Sequence, residues 1–172
     1  TMSYYNETGI TASGSYYPVT PMYFDTLVLQ AVYGLPNYGG ADGDTEYAII
    51  SDNTYQTIYE TTGSDTFNAQ AASEGWYFEL SYGTDGLAYA ATYETEYPLE
   101  QVIFGLGAFE NVIGSQYGDV IVDTDEANNI DGEMGSDFIW STGGGDTIDG
   151  GEGSDTLIFE EAVSAFNITN SS

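Results

Sequence analysis

Asp119, Asp137, Asp146 and Asp155 lie on one register of nine residues, with Asn128 in the remaining place. Laid out in nines from Gly114, the chain reads GSQYGDVIV, DTDEANNID, GEMGSDFIW, STGGGDTID and GGEGSDTLI. The acids occupy the sixth column, and Ile121, Ile130, Ile139, Ile148 and Leu157 occupy the eighth. Such carboxylates need a positive partner, and the chain is poor in them. It has 28 Asp and Glu, no Lys, Arg or His, and a formal charge of −28 over 172 residues. Without cationic side chains, the carboxylates can be satisfied only by water, hydroxyls, backbone N–H groups or bound cations.

The absences exclude whole classes of chemistry. Lacking His and Cys, the chain has no self-contained zinc, copper or iron site. It cannot build a triad with a His base, a Lys Schiff base or an Arg phosphate clamp. Nucleic acid and anionic membrane are excluded as partners by the sign of the charge. Oxygen donors remain, from Asp, Glu, Asn, Thr and backbone carbonyls, and they suit a hard cation such as Ca²⁺.

The elements that must position these donors follow from the repeat. GGEGSDTLI fits the nonapeptide GGxGxDxUx, with U a large aliphatic residue. The glycine-rich first six residues make a tight turn with positive φ, and the last three form a short strand with one inward aliphatic side chain. Two repeats complete a coil, so loops 18 residues apart stack on one edge. Asp119, Asp137 and Asp155 line one edge; Asn128 and Asp146 line the other. A cation between stacked loops would gather two carboxylates and turn carbonyls, about the six oxygens that Ca²⁺ prefers. Without it, stacked carboxylates repel around a thin core, so folding is expected to depend on calcium. A disordered acidic tail would lack the phased aliphatic column. DTDEANNID is the weakest repeat, and the site that Asn128 shares with Asp146 is expected to be the poorest.

The repeats resemble the RTX parallel β-roll of bacterial secreted proteins. The remainder resembles a serralysin-type metalloprotease from its Met-turn onward. TMSYY at 1–5 is similar to the segment closing that family's zinc site, and PMYFDTLVLQAVYG at 21–34 to the last helix of its catalytic domain. GDTEYAI at 43–49, ETTGSDTFN at 60–68 and FENVIG at 109–114 resemble successive signatures of its C-terminal domain. The resemblance implies a remnant of the catalytic domain at 1–40, a β-sandwich-like part at 41–113, the calcium-binding roll at 114–158, and a further strand or tail at 159–172.

The resemblance also implies ligand sets. One roll site would use Ser115, Tyr117, Asp119, Gly132, Met134 and Asp137; the next would use Glu133, Gly135, Asp137, Gly150, Glu152 and Asp155. The opposite edge would use Thr124, Glu126, Asn128, Ser141, Gly143 and Asp146. Paired calcium sites ahead of the roll would use Ala41, Gly43, Thr45, Glu60, Thr62, Gly63, Asp65, Ala108 and Glu110. Ala41 stands where the family usually has Arg, and Thr61 and Thr62 replace glycines. The catalytic signature HExxHxxGxxH is not in this sequence. Met2 of the Met-turn and Tyr4, matching an additional zinc-ligand tyrosine, are its remnants, so Zn²⁺ is implied only with an upstream catalytic half. Catalytic residues are expected to be none.

The expected fold is mainly β: a sandwich-like layer running into a parallel β-roll, with one short helix at 21–34 opened by Pro21 and ended by Gly34. TEYAII, QTIYET, WYFELSY, LAYAATY and QVIFGL read as strands between 44 and 112. Trp76 and Trp140 are expected to pack in the interior. The start at TMSYY and the strand pattern broken off in EEAVSAFNITNSS read as a piece of a longer parent. No apolar run reaches membrane-spanning length. Three functions follow: a secreted, extracellular, calcium-binding folding and secretion module; a subunit of a calcium-dependent filament, surface layer or adhesive matrix; or the C-terminal fragment of an active zinc metalloendopeptidase. Calcium is the expected partner, with self-association or an upstream protease domain left open.

Overall fold

A computed structural model describes residues 17–18, 43–50, 54–60, 62–82, 87–92 and 102–160. The expected helix at 21–34, together with Met2, Tyr4 and Ala41, lies outside them. The strands are β1 Tyr17–Pro18, β2 Glu46–Ala48, β3 Thr54–Tyr59, β4 Thr66–Asn68, β5 Trp76–Tyr82, β6 Leu87–Thr92, β7 Val102–Leu106 and β8 Asn111–Ile113. They continue as β9 Val120–Val122, β10 Asn129–Asp131, β11 Met134–Gly135, β12 Phe138–Ser141, β13 Thr147–Asp149, β14 Glu152–Gly153 and β15 Thr156–Phe159. No helix occurs among the described residues.

The strands form a parallel β-solenoid of about five turns. One sheet has eight strands in the order β1-β3-β7-β6-β5-β9-β12-β15, a second has five in the order β13-β10-β8-β4-β2, and β11 and β14 pair as a third. Among the described residues, only the β5–β6 and β6–β7 pairs are antiparallel. The 18-residue stacking is direct: Ile139 pairs with Ile121 and Leu157, and Ile130 pairs with Ile148. All five strands read between 44 and 112 form. They run into the roll as expected: β4 and β5 pair in parallel with β8 and β9 and carry both sheets into the nonapeptide coils.

The period of two along each strand decides what is buried. In β12, Ile139 is fully buried while Phe138 and Trp140 are 36% and 38% exposed. Trp140 therefore does not pack in the interior as expected: it stands in the ninth column, which faces out. Trp76 is fully buried, as expected. The inward ladder Ile103–Ala90–Phe78–Ile121–Ile139 of the larger sheet meets Phe67–Val112–Ile130 of the smaller. Aromatic rings fill the wider first coils, where Phe67 stacks on Phe109 at 4.2 Å between centroids and lies 6.2 Å from Phe78. The nonapeptide coils have one aliphatic layer from each sheet, a thin core that burial alone stabilises weakly.

Candidate metal centre

Stacking of the loops places the sixth-column acids one above another, and backbone donors tie each to the coil before it. The Trp76 N–H donates to Asp119 Oδ1 at 2.6 Å, the Asp119 N–H to Asp137 Oδ1 at 2.8 Å, and the Asp137 N–H to Asp155 Oδ1 at 3.1 Å. The second edge repeats the pattern. Thr45 N–H donates to Asp65 Oδ1 at 3.0 Å, Asp65 N–H to Glu110 Oε2 at 2.8 Å, and Asn128 N–H to Asp146 Oδ1 at 3.0 Å. Thr45, Asp65, Glu110, Asn128 and Asp146 thus form one edge of the solenoid, each just before a strand of the five-stranded sheet.

Most of the residues expected to bind ions come together on these edges. Ser115 supports its loop by donating its N–H to Asp119 Oδ2 at 2.6 Å and its hydroxyl to Asp119 Oδ1 at 3.0 Å. The Ser115 carbonyl accepts Met134 N–H at 3.4 Å, and the Glu133 carbonyl accepts Glu152 N–H at 2.8 Å, so loop 115–119 sits on loop 133–137 and that on loop 151–155. Tyr117 and Met134 are 49% and 43% exposed, so only their main chains belong to the edge. Gly132 lies against the carboxylate of Asp137 and Gly150 against that of Asp155. Gly153 has φ +149, and a Cβ there would fall 1.5 Å from the carbonyl oxygen of Gly135. Only glycine lets these two turns close on each other.

Ahead of these coils, Gly43 N–H donates to the Thr62 carbonyl at 3.2 Å, and Gly63 packs against Gly43. Gly43, Thr45, Thr62, Gly63, Asp65 and Glu110 therefore share the second edge. Glu60, 3% exposed, meets Gly107 through its main chain, next to exposed Ala108.

The electrostatics are those of carboxylates held out of water. Burial pushes Asp119 from 3.8 to about 6, against the lowering effect of the Ser115 and Trp76 hydrogen bonds. Burial also raises Asp137 to about 6; the Asp119 N–H opposes the rise, and the like charges of Asp119 and Asp155 add to it. Asp65 is raised as well, first by burial. Asp137 Oδ2 is buried with no hydrogen-bond donor. A buried charge without a partner is costly, and no side chain in this sequence can supply a cation. The residues therefore fit a hard divalent ion. Among the described residues, no three His, Cys, Asp or Glu side chains converge on one point. An ion on either edge would be held by carboxylates from two coils together with turn carbonyls.

Two features were missed by the sequence reading, the place of Trp76 and that of Asp123. Trp76 occupies the sixth-column place of the coil before Asp119 and begins its ladder; no acid or glycine pattern marks it. Glu110, nine residues before Asp119, and Asp65, both among the residues expected in the paired sites ahead of the roll, continue the Asn128–Asp146 edge. Asp123 is fully buried in the first column, where Gly114, Gly132 and Gly150 stand in other repeats. An acid in a glycine column was the available signal. The chain matches no protein-family model, and no curated protein matches it.

Proposed function

We propose that this chain is a secreted, extracellular calcium-binding domain of the RTX β-roll type, from a serralysin-like protein. It acts as a folding and secretion module and is not catalytic on its own. The observation that carries the proposal is Asp137: a buried carboxylate between Asp119 and Asp155, with one oxygen lacking any donor. Bound calcium would neutralise the stacked acids and tie successive coils together. The chain's residues do the rest: Asp119, Asp137 and Asp155 supply the charge, backbone N–H groups aim them, and glycines bring the carbonyls close. Hydrolytic chemistry, if the parent has any, would reside in an upstream half holding zinc.

Titration with Ca²⁺ followed by far-ultraviolet circular dichroism tests the proposal. Calcium should induce β signal, with Mg²⁺ much less effective, since an oxygen-only ligand set on flexible turns favours the larger ion. Equal structure in excess chelator would overturn it. A second reading, a subunit of a calcium-dependent filament or matrix, is favoured by Leu157. This inward-column residue is 37% exposed where Ile121 and Ile139 are fully buried. Sedimentation in calcium would show large assemblies that dissolve in chelator if that reading holds.

A further inference from the structure

Asn128 breaks the column of acids, and the structure shows what its side chain does instead. Its Oδ1 accepts the Thr124 N–H at 3.1 Å and the Thr124 hydroxyl at 2.8 Å, while its Nδ2 donates to the Glu110 carbonyl at 3.0 Å. The amide thus staples its own loop to the preceding coil and presents a donor where the other loops present charge.

Asp123, five residues earlier in the same loop, is fully buried. Its Oδ1 accepts the Thr142 N–H at 2.7 Å and the Thr142 hydroxyl at 2.9 Å, which fixes the carboxylate against the next loop of this edge. Its Oδ2 is buried without a hydrogen-bond partner. Asp146 is close enough to repel it, and the Ser141 hydroxyl, bonded to Asp146 Oδ2 at 2.8 Å, also lies near the Asp123 carboxylate. Two carboxylates therefore converge on Ser141, one with an unsatisfied oxygen. The loops around them are in close contact: Gly144, at φ +106, lies so near the Glu126 carbonyl that a Cβ would fall 2.1 Å from its oxygen.

We propose that Asp123, rather than Asn128, is the second carboxylate ligand of a calcium ion held with Asp146 between loops 123–128 and 141–146. The lost acid of the sixth column is replaced by a side chain from the first column, where glycine cannot contribute one. This inference rests on the calcium reading given above, and it makes the irregular repeat a full site instead of the poorest one.

Isothermal titration of the full chain with Ca²⁺ tests it, comparing wild type with Asp123→Asn and Asn128→Ala. Asparagine preserves the acceptor for Thr142 but removes the charge. Asp123→Asn should lose one bound ion, or weaken one site at least tenfold, while the remaining sites keep their affinities. Asn128→Ala should keep the wild-type number of ions. Wild-type binding by Asp123→Asn, or loss of an ion by Asn128→Ala, would overturn the inference and leave the calcium reading standing. A wild-type chain that binds no calcium would overturn both. Because Asn128→Ala is read independently, a folding failure of Asp123→Asn still leaves a decisive result.

Discussion

Asp137 and Asp155 share a column, yet their surroundings differ. Asp137 is 2% exposed, accepts the Asp119 N–H, and has acids on both sides; Asp155 is half-buried. On the proposed register Asp137 would serve two ions and Asp155 one, so Asp137 should lose more when truncated. Calorimetry is expected to rank Asp137→Ala below Asp155→Ala in calcium affinity by severalfold; the reverse order would mean the loops are in a different register. The raised carboxylates also set a pH dependence. Asp119, Asp123 and Asp137 titrate near 6 when folded, above the ordinary 3.8. The folded chain then keeps protons that the unfolded chain releases between those values, so calcium-free stability falls as pH rises through that window. Each group would cost on the order of 3 kcal/mol above it. In chelator, the β signal in circular dichroism should be greater near pH 4 than at pH 7; with calcium, acid should lower the thermal midpoint because protons displace the ion. The column of acids was legible because identical spacing repeats it. Asp123 was not, since its importance depends on the orphaned oxygen and on Asn128 being occupied elsewhere.

The coils were readable as elements because strand and turn each have their own chemistry in the nonapeptide. Ile121, Ile130 and Ile139 are buried as the eighth column requires, and strands fall on the last three places of the repeat. The earlier coils were readable only as strands. Their connections are irregular in length, so which strand follows which in the sheet could not be counted from spacing. Phe67 and Phe78 stand there in the places taken further on by Val112 and Ile121, and Phe109, from the turn before β8, stacks on Phe67. Gly153 marks the tightest stacking of turns. Gly153→Ala should destabilise the calcium-loaded chain by about 2 kcal/mol or more, since the substitution meets both an unfavourable φ and a backbone contact. Thermal melting in saturating calcium measures this, and a midpoint within a degree of wild type would contradict it.

At the scale of the whole molecule, the chain carries a formal charge of −28 with no Lys, Arg or His to offset it. Zinc hydrolysis needs three ligands and a base for the metal-bound water. Purified chain is therefore expected to cleave no casein with added Zn²⁺, whether or not calcium is present. Cleavage that persists through repeated purification would refute the non-catalytic reading. Along the Asp119–Asp137–Asp155 edge the carboxylate hydrogen bonds between coils have one sense: the backbone N–H of a coil points to an acid that lies later in the chain. Such a stack has a polarity, like a zip with hooks on one tape only. During synthesis, the donors of the Asp119–Asp137–Asp155 edge emerge before the acids that accept from them, which follow 18 residues later in the nonapeptide region. The carboxylate contacts of a coil on that edge are thus completed only by the coil made after it.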